Sequence, residues 1–351
     1  MFFIEGTVKI NSASFKNPLI SFVCMIVCGI IFDLAFDAFI QLILIYIFIN
    51  MLLGMSLNLV NGITGQFSLG HAGFMAVGAY TSAWLSTKFP VPGNFSQVFY
   101  FIAFGIGGGA LAGLAGYLVG LPSLRLKGDY LAVVTLGFSE IIRVMLLNMK
   151  SLGAARGMYG IPGPTEIMVG SFKLSRFMNS FFLSAFWVIV CYFFIWRLMK
   201  SKIGRDFLSV REDEIAAEAM GINTTSAKVK SFVISSFFAG IAGSITAHFT
   251  NYLNPSSFTF NRSIDAVIIV VLGGMGSMSG ALIAAAFITI IPEALRPLQE
   301  TLGVDLRMVI YSLSLILLMI LRPKGIFGNT ELSDHLPKLN FLKRKKTKAA
   351  I

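Results

Sequence analysis

Apolar residues in this chain come in long runs separated by short polar stretches, not in the alternating or 3.6-residue patterns of half-buried elements. Such runs occupy 18–33, 39–60, 66–87, 98–121, 129–149, 179–199, 231–252, 263–274, 279–298 and 306–321. A helix of about 20 residues crosses a hydrocarbon core of roughly 30 Å. The third run is interrupted by glycines and the eighth is short. Backbone polar groups inside lipid must be bonded within their own segment, so the pattern predicts an all-α polytopic protein with about ten transmembrane helices.

The composition agrees. Of 351 residues, 56% are hydrophobic and 13% charged, and the mean hydropathy is +0.78. A soluble domain carries roughly 25% charged residues, so this chain has too few to cover a water-facing surface. The net charge of +11 does not point to nucleic acid, because much of it sits in "KLNFLKRKKTKAA" (338–350) and in short segments between runs. Nucleic-acid binding needs a basic face on a folded domain. Cys24, Cys28 and Cys191 lie in apolar segments and read as small buried hydrophobes, not as a disulfide or metal framework.

Charge also orients the chain. Segments 1–17, 122–128, 200–230 and 322–351 hold most of the Lys and Arg, including Arg125, Lys127, Lys200, Lys202, Arg205, Arg211, Lys228 and Lys230. Alternating ten spans puts all four on one side, which the positive-inside rule assigns to the cytoplasm. Segment 150–178 then lies outside, and "GMYGIPGP" (157–164) predicts an ordered loop there despite Lys150, Arg156, Lys173 and Arg176. Lys9 and Lys16 before Leu19–Phe32 suggest a secretory signal, but "DLAFDAF" and a further span follow at once. The first run is therefore expected to remain as an uncleaved helix. The expected organisation is a cytoplasmic N-terminus (1–17), a transmembrane domain (18–330) and a basic cytoplasmic tail (331–351).

One stretch breaks the apolar pattern: "SVREDEIAAEAMGIN", 209–223. Ser209 and Glu212 fit a capping box, and Glu212, Asp213 and Glu214 place negative charge at the positive end of a helix dipole. Ala216, Ala217, Ala219 and Met220 favour helix, and Gly221 suits a left-handed stop before "NTT". The prediction is one helix of roughly 11 residues, about 16 Å long. A helix that short is marginal alone in water, so it is expected to dock on something.

Here the sequence resembles a known family. "GRDFLSVREDEIAAEAMGIN" (204–223) is similar to the cytoplasmic loop of ABC importer permeases, in particular the branched-chain amino-acid permeases of LivM type. The general permease pattern is E-A-A, three residues, then Gly; Ala216, Ala217 and Gly221 match, while Ile215 replaces the leading Glu. The resemblance continues in "NLVNGITGQFSLGHAGFMAVGAY" (58–80), "LPSLRLKGDYLAVVTLGFSEIIR" (121–143), "NPSSFTFNRSIDAVIIVVLGGMGSMSGALIAA" (254–285) and "LRPKGIFG" (321–328). It implies a BtuC-like, type II permease in the bacterial plasma (inner) membrane, with no cofactor. It also implies a second related permease as heterodimer partner, two cytoplasmic ATPase subunits and a periplasmic or lipid-anchored binding protein. In that assembly Arg211, Glu212, Asp213, Glu214, Ala216, Ala217, Glu218 and Gly221 would couple to the ATPase.

Such a permease makes no covalent bonds, so its chemistry is recognition and gating. "GQFSLGHAGF" (65–74) offers Gly65, Gly70 and Gly73 as breaks and Gln66, Ser68 and His71 as polar groups. Gly273, Gly274, Gly276 and Ser277 form a second break. Corresponding interruptions in two halves suggest an inverted repeat and a translocation path; close helix packing by small residues is the alternative. His71 reads as a packing histidine before a proton relay, and His71, His248 and His335 lack metal-ligand spacing. Glu140 and Arg143 share a helix face and should pair with each other or with a partner, since intramembrane charges are costly; they read as an element of the translocation path or an interface, or as a structural ion pair. Asp265 and Glu293 lie nearer span ends.

The chain has no G-x-x-x-x-G-K-[ST] loop, no H-E-x-x-H and no G-x-S-x-G. It is expected to be a transporter subunit, not an enzyme, with its motor on another chain. The competing readings are a urea or short-amide importer permease and an ion-coupled secondary transporter.

Overall fold

The computed structural model describes residues 37–89, 96–123, 129–169, 172–295 and 325–328, with Leu313 and Ile316. The expected first span (18–33), the N-terminal segment, most of the last span and the basic tail lie outside the described residues.

The described chain is mostly helical. Helix α1 (Ala38–Asn58) runs on through a π turn (Leu59–Ile63) and is followed by α2 (His71–Lys88), α3 (Gln97–Ser123) and α4 (Asp129–Asn148). Short strands β1 (Met158–Tyr159), β2 (Ile167–Val169) and β3 (Phe172–Leu174) lead to α5 (Arg176–Lys200). Two short helices, α6 (Lys202–Glu212) and α7 (Glu214–Ala219), precede α8 (Thr224–Thr250). Strand β4 (Tyr252–Leu253), α9 (Phe260–Gly273) and α10 (Met278–Ala294) complete the order.

Among the described residues six segments are long and apolar enough to cross a membrane: Ala38–Ile63, Gln97–Ser123, Tyr130–Asn148, Arg176–Lys200, Thr224–Thr250 and Pro255–Gly273. The third run, read as helical from 66, becomes helix only at His71. The short eighth run gains length from a 3-10 turn at Pro255–Ser257.

Helix α8 is the hub, packing most extensively on α3 and α2 and also meeting α1, α5 and α6. In lipid no hydrophobic force drives helices together, so close contact of small residues does. A Cβ on Gly78 would lie 2.2 Å from the Gly240 carbonyl oxygen, and one on Gly240 would lie 2.5 Å from the Ala112 Cβ. Gly240→Leu is therefore expected to wedge α2, α3 and α8 apart at or above the upper end of the ~1–3 kcal/mol typical of overpacking. Detergent-extracted, monodisperse protein should fall sharply relative to wild type by size-exclusion chromatography.

A second group comprises α1, α9 and α10. Gly54 abuts Ile269 and Ala281, Asn50 bonds Arg262 and Thr289, and Asn58 bonds Gly276 and Ser277. Rising positions on α1 match rising positions on α9, so these helices run parallel, with α10 antiparallel between successive contacts. An inverted repeat would put corresponding breaks at opposite ends. The two glycine breaks lie at the same end, so they do not mark such a repeat.

The opposite end is closed by the 150–178 loop. β1 pairs antiparallel with β4, and β2 with β3. Asn251 Nδ2 donates to the Ile161 carbonyl at 2.8 Å, and His248 Nδ1 lies 2.8 Å from the Pro162 carbonyl. Gln97 Oε1 accepts from Thr165 N and Oγ1 at 3.2 and 2.9 Å. Arg176 donates to Asn251. The order expected from the Gly-Pro content is thus built by long-range hydrogen bonds.

Candidate functional site

The connector leaves α5 at Ser201, whose side chain caps α6 by accepting from Gly204 N. Buried Phe207 and Val210 anchor α6 to the bundle. The single helix expected here from the Ser209–Glu212 capping box is not formed. Ser209 lies inside α6, where its hydroxyl donates to the Arg205 carbonyl at 3.0 Å. The chain instead breaks at Asp213, which is extended (φ −158°) and accepts from Ile215 N and Ala216 N at 2.9 and 3.1 Å. A carboxylate at a helix start adds charge–dipole attraction to capping, so Asp213 wins over Ser209.

The far end follows the expectation. Gly221 has φ +79°, Ile222 N donates to the Ala217 carbonyl at 3.0 Å and Gly221 N to that of Glu218 at 2.9 Å. These paired bonds are a Schellman stop. Asn223 then opens α8 by accepting from Ser226 N at 2.8 Å.

Helix α7 is strapped to the first turns of α8. Lys228 Nζ meets Glu214 Oε1 at 2.5 Å, and Thr224 Oγ1 donates to Glu218 Oε1 at 2.6 Å. Ala217 is buried against this junction. Glu214 and Ala217 therefore face inward, while Glu212, Ala216 and Glu218 are exposed, Glu218 still bonded to Thr224. The outward surface is completed by Ile215, 73% exposed, and Met220, 82% exposed.

Against the other side of the connector lie two helix breaks. After the π turn, Gly65 takes φ +73° and the chain runs without regular structure to Gly70. Gln66 N donates to the Val60 carbonyl at 2.9 Å, Ser68 N to Asn61 Oδ1 at 3.1 Å and Leu69 N to Thr135 Oγ1 at 3.1 Å. His71 Nε2 lies 2.7 Å from Ser56 Oγ. In the second break Gly274 and Gly276 have φ +105° and +98°, and Ser277 caps α10 by accepting from Gly280 N at 3.1 Å.

The two breaks meet. Asn58 Nδ2 donates to the Ser277 carbonyl at 3.0 Å, and its Oδ1 accepts from Gly276 N at 2.9 Å. Gly70 and Gly73 instead serve close packing on α4, because a Cβ there would lie 2.4 Å from the Thr135 carbonyl oxygen or 2.8 Å from the Ser139 Cα. Gly273 packs in the same way on Gly280, and Gly274 on Gly328. Among the described residues, both amide atoms of buried Gln66 and the Ser139 hydroxyl have no hydrogen-bond partner. A buried orphan of this kind costs about 1–3 kcal/mol, and Gln66 stands immediately after the first break.

The family described as "Branched-chain amino acid transport system / permease component" matches residues 39–321. The chain belongs to this family. The permease is 36% identical over 301 residues to the high-affinity branched-chain amino acid transport system permease protein LivM of Escherichia coli (strain K12), covering 80% of this chain and 68% of the relative. It is 24% identical over 285 residues to the permease protein LivH of the same organism, covering 80% of this chain and 91% of the relative. It is 23% identical over 286 residues to the permease protein BraD of Pseudomonas aeruginosa, covering 80% and 92%. No solved structure matches.

Within the permease, Glu140 and Arg143 pair with each other at 2.7 Å, Nε to Oε2. They sit on α4, where Tyr130, Val133, Ile141 and Met145 are also left uncovered. His248 shares Ser82 Oγ with Ser244, at 2.6 and 2.7 Å. Sequence reasoning missed Ile215 and Met220 as surface features, although Ile215 was conspicuous as the departure from the E-A-A pattern. It also missed Asn58, an ordinary polar residue inside an apolar run, and the Asn50–Arg262–Thr289 bonds.

Proposed function

We propose that the permease is a transmembrane subunit of an ATP-driven importer for branched-chain amino acids. One observation carries the ATP-driven reading: α7 is held rigidly on α8 by Glu214–Lys228 and Glu218–Thr224, yet presents Ile215 and Met220 to water. A braced short helix with bare apolar side chains suits a groove on another protein, here a cytoplasmic ATPase. The relatives' names supply the cargo.

In this reading the connector end, with Lys202, Arg205, Lys228 and Lys230, is cytoplasmic, and both termini share that side. The fold is a BtuC-like bundle of about ten spans at 18–330, between a cytoplasmic N-terminus (1–17) and the basic tail (331–351). A second related permease completes the pore. Two ATPases attach at 200–230, and a binding protein delivers cargo at the 150–178 face. Gln66, Ser68 and the Gly65 and Gly276 breaks border the path, a role supported by the orphaned amide of Gln66.

Reconstitution tests this directly. Proteoliposomes carrying both permeases, both ATPases and the binding protein should take up leucine only with ATP inside the ATPase compartment. Isoleucine and valine should compete, and urea should not. Competition by urea would reassign the cargo, and uphill uptake by the permease alone would overturn the reading.

A further inference from the structure

The connector touches the helix breaks through one side chain. Arg211 lies in the last turn of α6, two positions before the extended residue Asp213 that separates α6 from α7. Its backbone and stem cover Gly65: a Cβ added there would stand 3.4 Å from Arg211 Cα and 3.1 Å from its Cγ. Its head reaches the other break, where a Cβ on Gly276 would stand 2.9 Å from Arg211 Nη1. Both glycines have positive φ, +73° and +98°, so both breaks depend on residues that leave room for this side chain. Asn58 joins the same two breaks from inside the bundle.

We infer that Arg211 is a positioning residue that links the connector to both breaks, so that a displacement of the corner between α6 and α7 is passed to residues 62–66 and 274–277 together. This deepens the role proposed for the connector and rests on that reading. Phe207 and Val210 seat α6 on the bundle, and the Glu214–Lys228 and Glu218–Thr224 bonds tie α7 to α8, so Arg211 stands at the corner between two anchored helices. A guanidinium suits the task because it is rigid, permanently charged and long enough to span from one break to the other. Lysine keeps the charge on a side chain one bond shorter and with a narrower head, and methionine keeps most of the stem without charge. The three side chains therefore separate packing from charge.

Two measurements on the full chain test this. In lipid nanodiscs without ATPases, Arg211→Met and Arg211→Ala are expected to raise amide hydrogen exchange at least tenfold in both 62–66 and 274–277, with the centre of α8 unchanged. Arg211 is turned to the two breaks and away from the exposed Ile215 and Met220 proposed to meet the ATPase, so in the reconstituted complex the same variants should keep ATPase attachment and ATP hydrolysis while leucine taken up per ATP falls at least tenfold. Arg211→Lys should recover part of the loss. Unchanged exchange, a change at only one break, coupling equal to wild type, or loss of ATPase attachment would each overturn the assignment. If Arg211→Ala fails to accumulate, the methionine and lysine variants decide. Should the wild-type complex itself show no ATP-driven uptake, the proposed function falls, while the exchange result still judges the link between Arg211 and the breaks.

Discussion

Replacing Ile215 and Met220 together by aspartate is expected to weaken attachment of the ATPases at least 100-fold, and to abolish transport, without loss of folded permease. Their side chains are 73% and 82% exposed, so neither contributes much to the fold of the subunit. Full burial of a large aliphatic or Met side chain is worth about 1.5–3 kcal/mol, and two such contacts correspond to at least a hundredfold in affinity at ~1.4 kcal/mol per tenfold. A carboxylate in their place would also have to be desolvated in the partner's groove. Pull-down of the ATPases from detergent extracts and thermal unfolding of the permease give the two readouts. Wild-type attachment by the double variant would remove α7 as the docking element. Ala217→Arg is a poorer test, because Ala217 faces α8 and its replacement would damage the strap itself.

The helices were legible from the apolar runs because lipid leaves the backbone no other partner. Where protein supplies partners, legibility ended. Residues 66–70 continue an apolar-looking run, but Val60, Asn61 and Thr135 take the amides of Gln66, Ser68 and Leu69, so the chain stays out of helix until His71. The start of α7 was misplaced for a local reason, since Ser209 and Asp213 both offer caps and the charged one is the better acceptor. Gly221 was read correctly because its positive φ leaves few alternatives. Both glycine breaks could be seen in the sequence, but their meeting could not: Asn58 and Gly276 are 218 positions apart. The parallel course of α1 and α9, which removes the argument for an inverted relation between the breaks, comes only from such contacts.

Asn50→Leu is expected to destabilise the permease by about 3 kcal/mol, although Asn50 looks like an incidental polar residue in an apolar helix. Its Oδ1 accepts from Arg262 Nη2 at 2.8 Å, and its Nδ2 donates to Thr289 Oγ1 at 2.8 Å. Thr289 keeps a bond of its own to the Ala285 carbonyl at 2.7 Å, so the damage concentrates on Arg262. That side chain is only 22% exposed, and Asp265 lies 4.0 Å away. Removing the Asn50 oxygen takes away the nearer of the two partners of Arg262 and leaves a largely desolvated guanidinium with Asp265 alone at 4.0 Å, which costs more than the bond itself contributes. Adding Arg262→Leu to Asn50→Leu removes the poorly partnered charge, at the lesser cost of leaving Asp265, 41% exposed, without its cation. The double variant should therefore be more stable than Asn50→Leu alone by upwards of ~1 kcal/mol while Arg262→Leu alone destabilises, a combination that independent contributions cannot produce. Thermal unfolding of the three variants in one detergent gives the cycle, and a double variant as unstable as the sum of the singles would show that Asn50 does not support Arg262.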